Sequence, residues 1–403
     1  MNSTCSYPTV VMLIFLALLN TAAHAETPSA AWQNGPPNDP TYIPIGIWAQ
    51  NSAYAEAYQD LGVNLYVHLH GGPTEAQLAP LHEAGMQAIA RQNDYARSLL
   101  DEQSPLLETI VAWMHRDEPD NAQPAAEGGY GPPVPPERIQ QLAEQWREVD
   151  PTRPIYLNLG WGVGWDGWHG RGVRTNHPED YPQYTKGSDI VSFDIYPANM
   201  RQHAVHGELW RIAYGTQRLR DWTAEYKPVW SIIEARSGVS PTQLRAQVWM
   251  SIIHGATGIV WFVHEFDSGG LVTDRAILDH DELRPVFREL NQQLHDFAAV
   301  IHAPTVNDRL TTELIHGDSD DQILQEYGVA PVGAMLKEHD NALYLFAVHM
   351  RGGEARARFA IADLAGTHEA EALGEGRTVI FRDGQLDEGF EAWDSAIYRI
   401  PLD

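Results

Sequence analysis

Cysteine is almost absent from this sequence: Cys5 is the only one among 403 residues. No internal disulfide is possible, and a fold of this length must be held by its apolar core. Basic residues are scarce, 27 Lys and Arg against 54 Asp and Glu, for a net charge of −27. Nucleic acid is excluded as a partner, because phosphate neutralisation needs clustered cations. An anionic membrane surface is disfavoured for the same reason, and a polyanionic substrate would require a locally basic site. No Gly-x-Gly-x-x-Gly opening is present, which argues against a doubly wound nucleotide-binding sheet. Charge is missing altogether from residues 1–25, where the apolar run Val10 to Leu19 precedes Ala23-His24-Ala25. The run is short for a membrane span and reads as a secretory signal peptide cleaved after Ala25. A lipoprotein cysteine would follow the apolar core, whereas Cys5 precedes it. The mature protein is expected to be secreted or periplasmic, free of cysteine and away from the membrane.

What remains is rich in apolar residues (43%) and aromatics (10%), the composition of a folded protein. Residues 26–40, with Pro, Asn, Ser and Gly, read as a linker. Eight strand-like apolar runs follow: Ile43 to Trp48, Val63 to His68, Met86 to Ala90, Ile110 to Met114, Pro154 to Leu159, Ile190 to Ile195, Val229 to Ile233 and Gly258 to Val263. Amphipathic segments with recognisable starts lie between most of them. Thr74 can cap Glu75 to Ala84, Pro135 and Pro136 precede Glu137 to Val149, Ser240-Pro241 opens Thr242 to His254, and Asp279 to Ile301 is a long closing helix. Continuous apolar strands alternating with helices predict an α/β fold with a parallel sheet, and eight repeats predict a (β/α)8 TIM barrel over 41–303. Beyond it, short strands at Ala334 to Lys337, Ala342 to Met350, Ala355 to Ile361, Arg377 to Arg382 and Ile397 to Ile400 predict a small antiparallel β-sandwich-like domain over 304–403.

The active site of such a barrel lies at the C-terminal strand ends, so those ends form the chemical inventory. They supply Trp48, His68, His70, then His115, Arg116, Asp117 and Glu118, then Trp161, Trp165 and Trp168, then Asp194 and Tyr196, Glu234, and finally Trp261, His264 and Glu265. Aromatic rings for C–H stacking beside carboxylates and imidazoles for hydroxyls suit a carbohydrate. Glu118 and Glu234 each close an apolar run, where a lone ionised group is costly unless used or paired. Two such carboxyls can serve as acid/base and nucleophile of a retaining glycosidase. The glycine-rich stretch Gly160 to Gly172 carries three tryptophans and reads as a platform for a chain of sugars.

The ordered set Asp117-Glu118-Pro119, Asp150-Pro-Thr-Arg-Pro154, Asp194-Ile-Tyr-Pro197 and Ile233-Glu234-Ala235 resembles the clan A retaining (β/α)8 glycoside hydrolases. The resemblance implies Glu118 as acid/base after strand four, Glu234 as nucleophile on strand seven, Tyr196 bonded to that nucleophile and Trp261 as floor of the sugar subsite. It also implies a β-linked oligo- or polysaccharide substrate and no cofactor. The clan usually has Asn where this chain has Asp117; a carboxylate cannot donate to a sugar hydroxyl but can raise the pKa of Glu118. Two other readings stay open. His68 and His70 form a His-x-His pair that could hold a metal, and a non-catalytic carbohydrate-binding barrel would keep the tryptophans without both glutamates.

Overall fold

The structure, a computed structural model, describes residues 32–224, 227–317, 324 and 327–402. The signal segment lies outside the described residues, as does the first part of the linker. Eight parallel strands close into a barrel: β1 (Ile45–Trp48), β2 (Leu65–Val67), β3 (Gln87–Ala90), β4 (Ile110–Met114), β5 (Ile155–Leu159), β6 (Ile190–Asp194), β7 (Val229–Glu234) and β8 (Gly258–Phe262). The last strand pairs back onto the first, with Ile47 beside Trp261. The helices are α1 (Ala55–Gln59), α2 (Glu75–Glu83), α3 (Asp94–Glu102), α4 (Pro136–Val149), α5 (Tyr181–Tyr184), α6 (Trp210–Trp222), α7 (Pro241–Ile253), α8 (Ala276–Asp279) and α9 (Leu283–His302). The (β/α)8 expectation is met strand for strand.

Local chemistry explains the element boundaries. Every residue of β4, β5, β6 and β7 is buried, because one face looks into the barrel and the other under the helices. Ser240 caps α7 by accepting from the Gln243 N–H at 3.2 Å, and the Gln243 side chain accepts from the Ser240 N–H at 3.0 Å. Asp150 ties β4 to β5, accepting from Trp113 Nε1 and Arg153 Nη1, both at 2.9 Å. Period-two alternation fills the barrel with Leu65, Val67, Ile89, Met114, Tyr156, Trp230, Ile232 and Val260. The intervening residues pack outward beneath the helices.

The predicted linker behaves differently in its described part. Trp32 packs on the interior cluster, and Asn34 bonds Thr152 through its N–H at 3.0 Å and its amide at 2.9 Å. Residues 32–40 therefore lie against the barrel, anchored by one aromatic ring in an otherwise polar segment.

After β8 an unforeseen hairpin, β9 (Glu265–Asp267) and β10 (Gly270–Thr273), precedes α8. The C-terminal domain is one antiparallel sheet of eight strands: β11 (Leu310–His316), β12 (Val332–His339), β13 (Ala342–His349), β14 (Ala355–Ile361), β15 (Thr367–Ala372), β16 (Arg377–Arg382), β17 (Gln385–Phe390) and β18 (Ser395–Pro401). Its order is β11-β14-β17-β16-β15-β18-β13-β12. The sheet folds over on itself, so that Arg309 at one edge meets Glu338 at the other at 3.1 Å. The two leaves enclose Leu336, Leu345, Phe359, Phe381 and Tyr398, giving the sandwich-like core. Phe346 of β13 packs 5.6 Å from Trp249 on α7 and 5.9 Å from Phe297 on α9, which seats the domain on the barrel flank. Among the described residues, no helix is long and apolar enough to cross a membrane.

Candidate active site

A cavity of about 240 Å³ opens at the C-terminal ends of the barrel strands. Strand parity sets which residues can line it, although on β7 the parity of Trp230 and Ile232 also turns Glu234 inward without its reaching the cavity. On β5 the inward Tyr156 is followed by Asn158, on β6 Ser192 is followed by Asp194, and on β8 Val260 is followed by Phe262. Trp48 ends β1, Asp117 and Glu118 follow β4, Trp161 and Trp168 come from the loop after β5, and Tyr196 stands two residues past Asp194.

Three carboxyls gather here, Asp194 buried and Asp117 and Glu118 half-buried, with Asn158 bridging the two aspartates. Asn158 Nδ2 donates to Asp117 Oδ1 at 2.9 Å and to Asp194 Oδ1 at 3.2 Å, while its own oxygen accepts from Ser192 at 2.8 Å. Trp161 Nε1 donates to Asp194 Oδ2 at 3.2 Å. Tyr196 and Glu118 stand beside Asp194, near enough to perturb its proton. Burial pushes the Glu118 carboxyl well above its ordinary value, and the neighbouring Asp194, Asp117 and Asp120 push it further. Burial, then the charge of Asp117, raises Asp194 to about 7 against the pull of its hydrogen-bond donors. Burial raises Asp117 to about 6, with Asn158 opposing. Of the two, Glu118 is therefore the group that keeps its proton, and Asp194, accepting from Asn158 and Trp161, is the better carboxylate. Glu118 also holds a left-handed φ of 42°, a strain that bulky residues bear only where the surroundings impose it.

The loop after β5 is shaped to approach Glu118. A Cβ on Gly160 would stand 2.8 Å from Glu118 Oε1 and 2.8 Å from Asn121 Nδ2, so only glycine fits. Buried Asp120 holds this backbone by accepting from the Gly160 N–H at 2.9 Å and from the Tyr181 hydroxyl at 3.0 Å. Buried Arg171 closes the loop, pairing with Asp180 at 2.8 Å and donating to the His177 carbonyl at 2.8 Å. Trp168 is pinned by its Nε1 to Asn121 Oδ1 at 2.9 Å, with its ring 4.2 Å from that of Trp161.

Several expected site residues stand elsewhere. Glu234 is 0% exposed and does not line the cavity. Its Oε1 accepts from the Ala198 N–H at 2.8 Å and the Asn199 N–H at 3.3 Å, and its Oε2 accepts from Asn199 Nδ2 at 2.9 Å with Arg236 at 3.4 Å. Every lone pair is engaged in fixing the loop after β6, so the carboxylate is paired rather than presented. Tyr196 accordingly stands beside Asp194 in the cavity, and among the described residues no hydrogen bond joins it to Glu234. Trp261 faces outward by parity, donating to Asn291 of α9 at 2.8 Å, and Phe262 takes the inward position. His115 also faces outward, against Trp146 of α4. Trp165 packs beside Trp168 at 6.2 Å without reaching the cavity.

The histidine pair does not converge as a regular strand would require. β2 ends at Val67, and His68 has a left-handed φ of 63° with its ring stacked on Trp48 at 5.3 Å. His70 meets it edge-on at 6.1 Å, and His264 lies against Phe262 at 4.9 Å. These three histidines surround the mouth without lining the cavity. Among the described residues, no group of three or more His, Cys, Asp or Glu side chains is arranged to hold a metal. Asn158 and Phe262 were missed by the sequence reading; strand parity counted from Tyr156 and Val260 is the signal that finds them.

No protein-family model matches the chain, and no curated protein sequence matches it. Solved structures do. α-Galactosidase I from Mortierella vinacea is 11% identical, with 91% of this chain and 98% of that chain covered at a TM-score of 0.52. The α-amylase of Geobacillus thermoleovorans, complexed with acarbose, is 10% identical over 93% of this chain and 99% of that one, at 0.49. A glycoside hydrolase family 30 subfamily 8 xylanase from Clostridium acetobutylicum is 10% identical over 89% and 96%, at 0.45. At these identities a likeness is one of fold alone, and it is the α-galactosidase with which this chain shares its fold.

Proposed function

We propose that the chain is an exported retaining glycoside hydrolase with Glu118 as acid/base and Asp194 as nucleophile. The observation that carries this is the placing of Glu118 beside Asp194, near enough for each to perturb the other's proton, inside an aromatic-lined cavity at the C-terminal face of the barrel. Inverting enzymes hold their carboxyls about 6.5 to 9.5 Å apart to admit a water, whereas retaining pairs stand about 5 to 5.5 Å apart. Neighbouring carboxyls at the ends of β4 and β6, lining one small cavity, suit the shorter separation and so double displacement.

In the first step an Asp194 oxygen attacks the anomeric carbon, the glycosidic C–O bond breaks, and the Glu118 proton passes to the leaving oxygen. Glu118, now a carboxylate, takes a proton from water as that water attacks the same carbon and expels Asp194. Tyr196, Asn158 and Trp161 hold the Asp194 carboxylate in place. Asp117, raised with its neighbours, keeps the proton on Glu118 between turnovers. Trp48, Trp161, Trp168 and Phe262 offer faces to sugar C–H groups. A purely binding barrel gains nothing from three carboxyls gathered in one cavity and raised by burial, which favours chemistry over binding. The signal-like residues 1–25 support export.

The β-linkage expected from sequence leaned on a strand-seven nucleophile. With Glu234 engaged outside the cavity, the assay panel carries 4-nitrophenyl α- and β-glycosides together with neutral polysaccharides. Proton NMR of the first product formed tests the reading. Retained anomeric configuration is expected; an inverted first product, or no hydrolysis across the panel, overturns it.

A further inference from the structure

A second cavity, about 410 Å³, lies just outside the barrel mouth between the ends of β3 and β4 and helix α4. We infer that it is a binding site for a hydroxylated ring bearing one carboxylate, the chemistry of a uronic acid. The volume is within the range of small-molecule sites. Its chemistry is the reverse of the chain's overall charge.

Arg91, Arg116 and Arg138 surround the opening, and no carboxylate lines it. Among the described residues, none of the three guanidinium groups has an ion pair or a side-chain hydrogen bond, in a protein carrying twice as many acidic as basic residues (54 against 27). Guanidinium forks bind carboxylates in a planar, bidentate fashion.

Two unmet acceptors lie deeper. His115 is 1% exposed and Gln92 6%, and both line the cavity. His115 Nε2 stands 2.8 Å from the Gly187 carbonyl, which can only accept, so Nε2 carries the hydrogen and Nδ1 is a bare lone pair. That Nδ1 has no partner, and neither has Gln92 Oε1, whose amide nitrogen is spent on the Trp146 carbonyl at 3.4 Å. Buried acceptors are normally satisfied. Both atoms are closed to solvent as they stand, and a ligand hydroxyl would satisfy either once its side chain turns toward the cavity. Trp146, stacked on His115 at 4.6 Å, joins Ile139 and Leu142 in an apolar wall for the C–H face of a ring. A bare oxyanion would meet the arginines and leave the acceptors and the wall unused.

The site does not depend on the hydrolase reading. Isothermal titration of the mature chain with sodium D-glucuronate, D-glucose and sodium sulfate at constant ionic strength tests it. Saturable glucuronate binding is expected, with glucose and sulfate at least about tenfold weaker. Arg116→Ala and Arg138→Ala, both exposed and unpaired and so harmless to folding, should each weaken glucuronate about tenfold, while Asp194→Asn leaves it unchanged. Absence of glucuronate binding, glucose or sulfate binding as tight, binding indifferent to both arginine variants, or binding lost in Asp194→Asn would each overturn the inference.

Discussion

The two isosteric changes Asp194→Asn and Glu234→Gln separate a carboxylate that reacts from one that braces. In Glu234→Gln one oxygen becomes an NH2 group. Whichever way the amide turns, that group meets donors: the Ala198 and Asn199 N–H groups on one side, Asn199 Nδ2 and Arg236 on the other. One buried donor is left unsatisfied, at a cost of about 1–3 kcal/mol. The melting temperature should fall by a few degrees, while kcat, measured well below the transition, changes little because the cavity is untouched. Asp194→Asn keeps the shape of the side chain and removes the nucleophile, so kcat should fall on the order of 10⁴-fold or more, as when a covalent catalyst loses its attacking group. Steady-state kinetics on the best aryl glycoside, alongside thermal melts of both variants, read the two effects separately. A collapse of kcat in Glu234→Gln with Asp194→Asn still active would refute the assignment and restore the strand-seven nucleophile.

The pH dependence has a defined sign. Asp194 must be ionised and Glu118 protonated, so kcat/KM should rise with pH through about 7 and fall only where Glu118, held well above its ordinary value, loses its proton. Asp117→Asn removes a charge that raises Asp194 and should move the acid limb to lower pH. Because Asp117 and Asp194 are raised on folding, their contribution to stability is present below their ordinary values and lost as pH rises through about 6 to 7. Melts between about pH 5 and about pH 8 should therefore be flatter for Asp194→Asn than for wild type. Gly160→Ala forces a methyl to 2.8 Å from Glu118 Oε1 and should lower kcat/KM on the order of 10²-fold by displacing the acid, with unchanged circular dichroism. Trp261→Phe should cost about 1 kcal/mol through the lost bond to Asn291 and leave KM alone, whereas Phe262→Ala should raise KM; the opposite pattern would contradict the parity argument.

The barrel was legible because its strands are apolar on both faces and its helices carry starts such as Ser240-Pro241, so local pattern and global fold agree. Glu118 and Asp194 were visible as acids at strand ends for the same reason. Glu234 looked equivalent to them, since an apolar run ending in a carboxylate reads alike whether the group is aimed at substrate or paired. Nothing in the run Val229–Glu234 announces Ala198, Asn199 and Arg236 as its partners. Trp261 and His115 failed for a different reason: each is one residue off the inward register, which parity counted from Val260 on β8 and Met114 on β4 sets right once those two are known to face the barrel interior.

By itself, then, the order of residues determined the strand and helix periods, the closure into eight repeats, the scarcity of cation and thiol, and the concentration of acids and tryptophans at one end of the barrel. Those properties depend on neighbours a few positions apart. Only the tertiary structure decided that Asp194 rather than Glu234 stands beside Glu118 in the cavity, and that three arginines face one cavity without an acid among them. Each of these is a contact between segments brought together by barrel closure, from Arg91 through Arg138 to Glu234, and the direction of a side chain across that closure is set by register and loop path rather than by residue type.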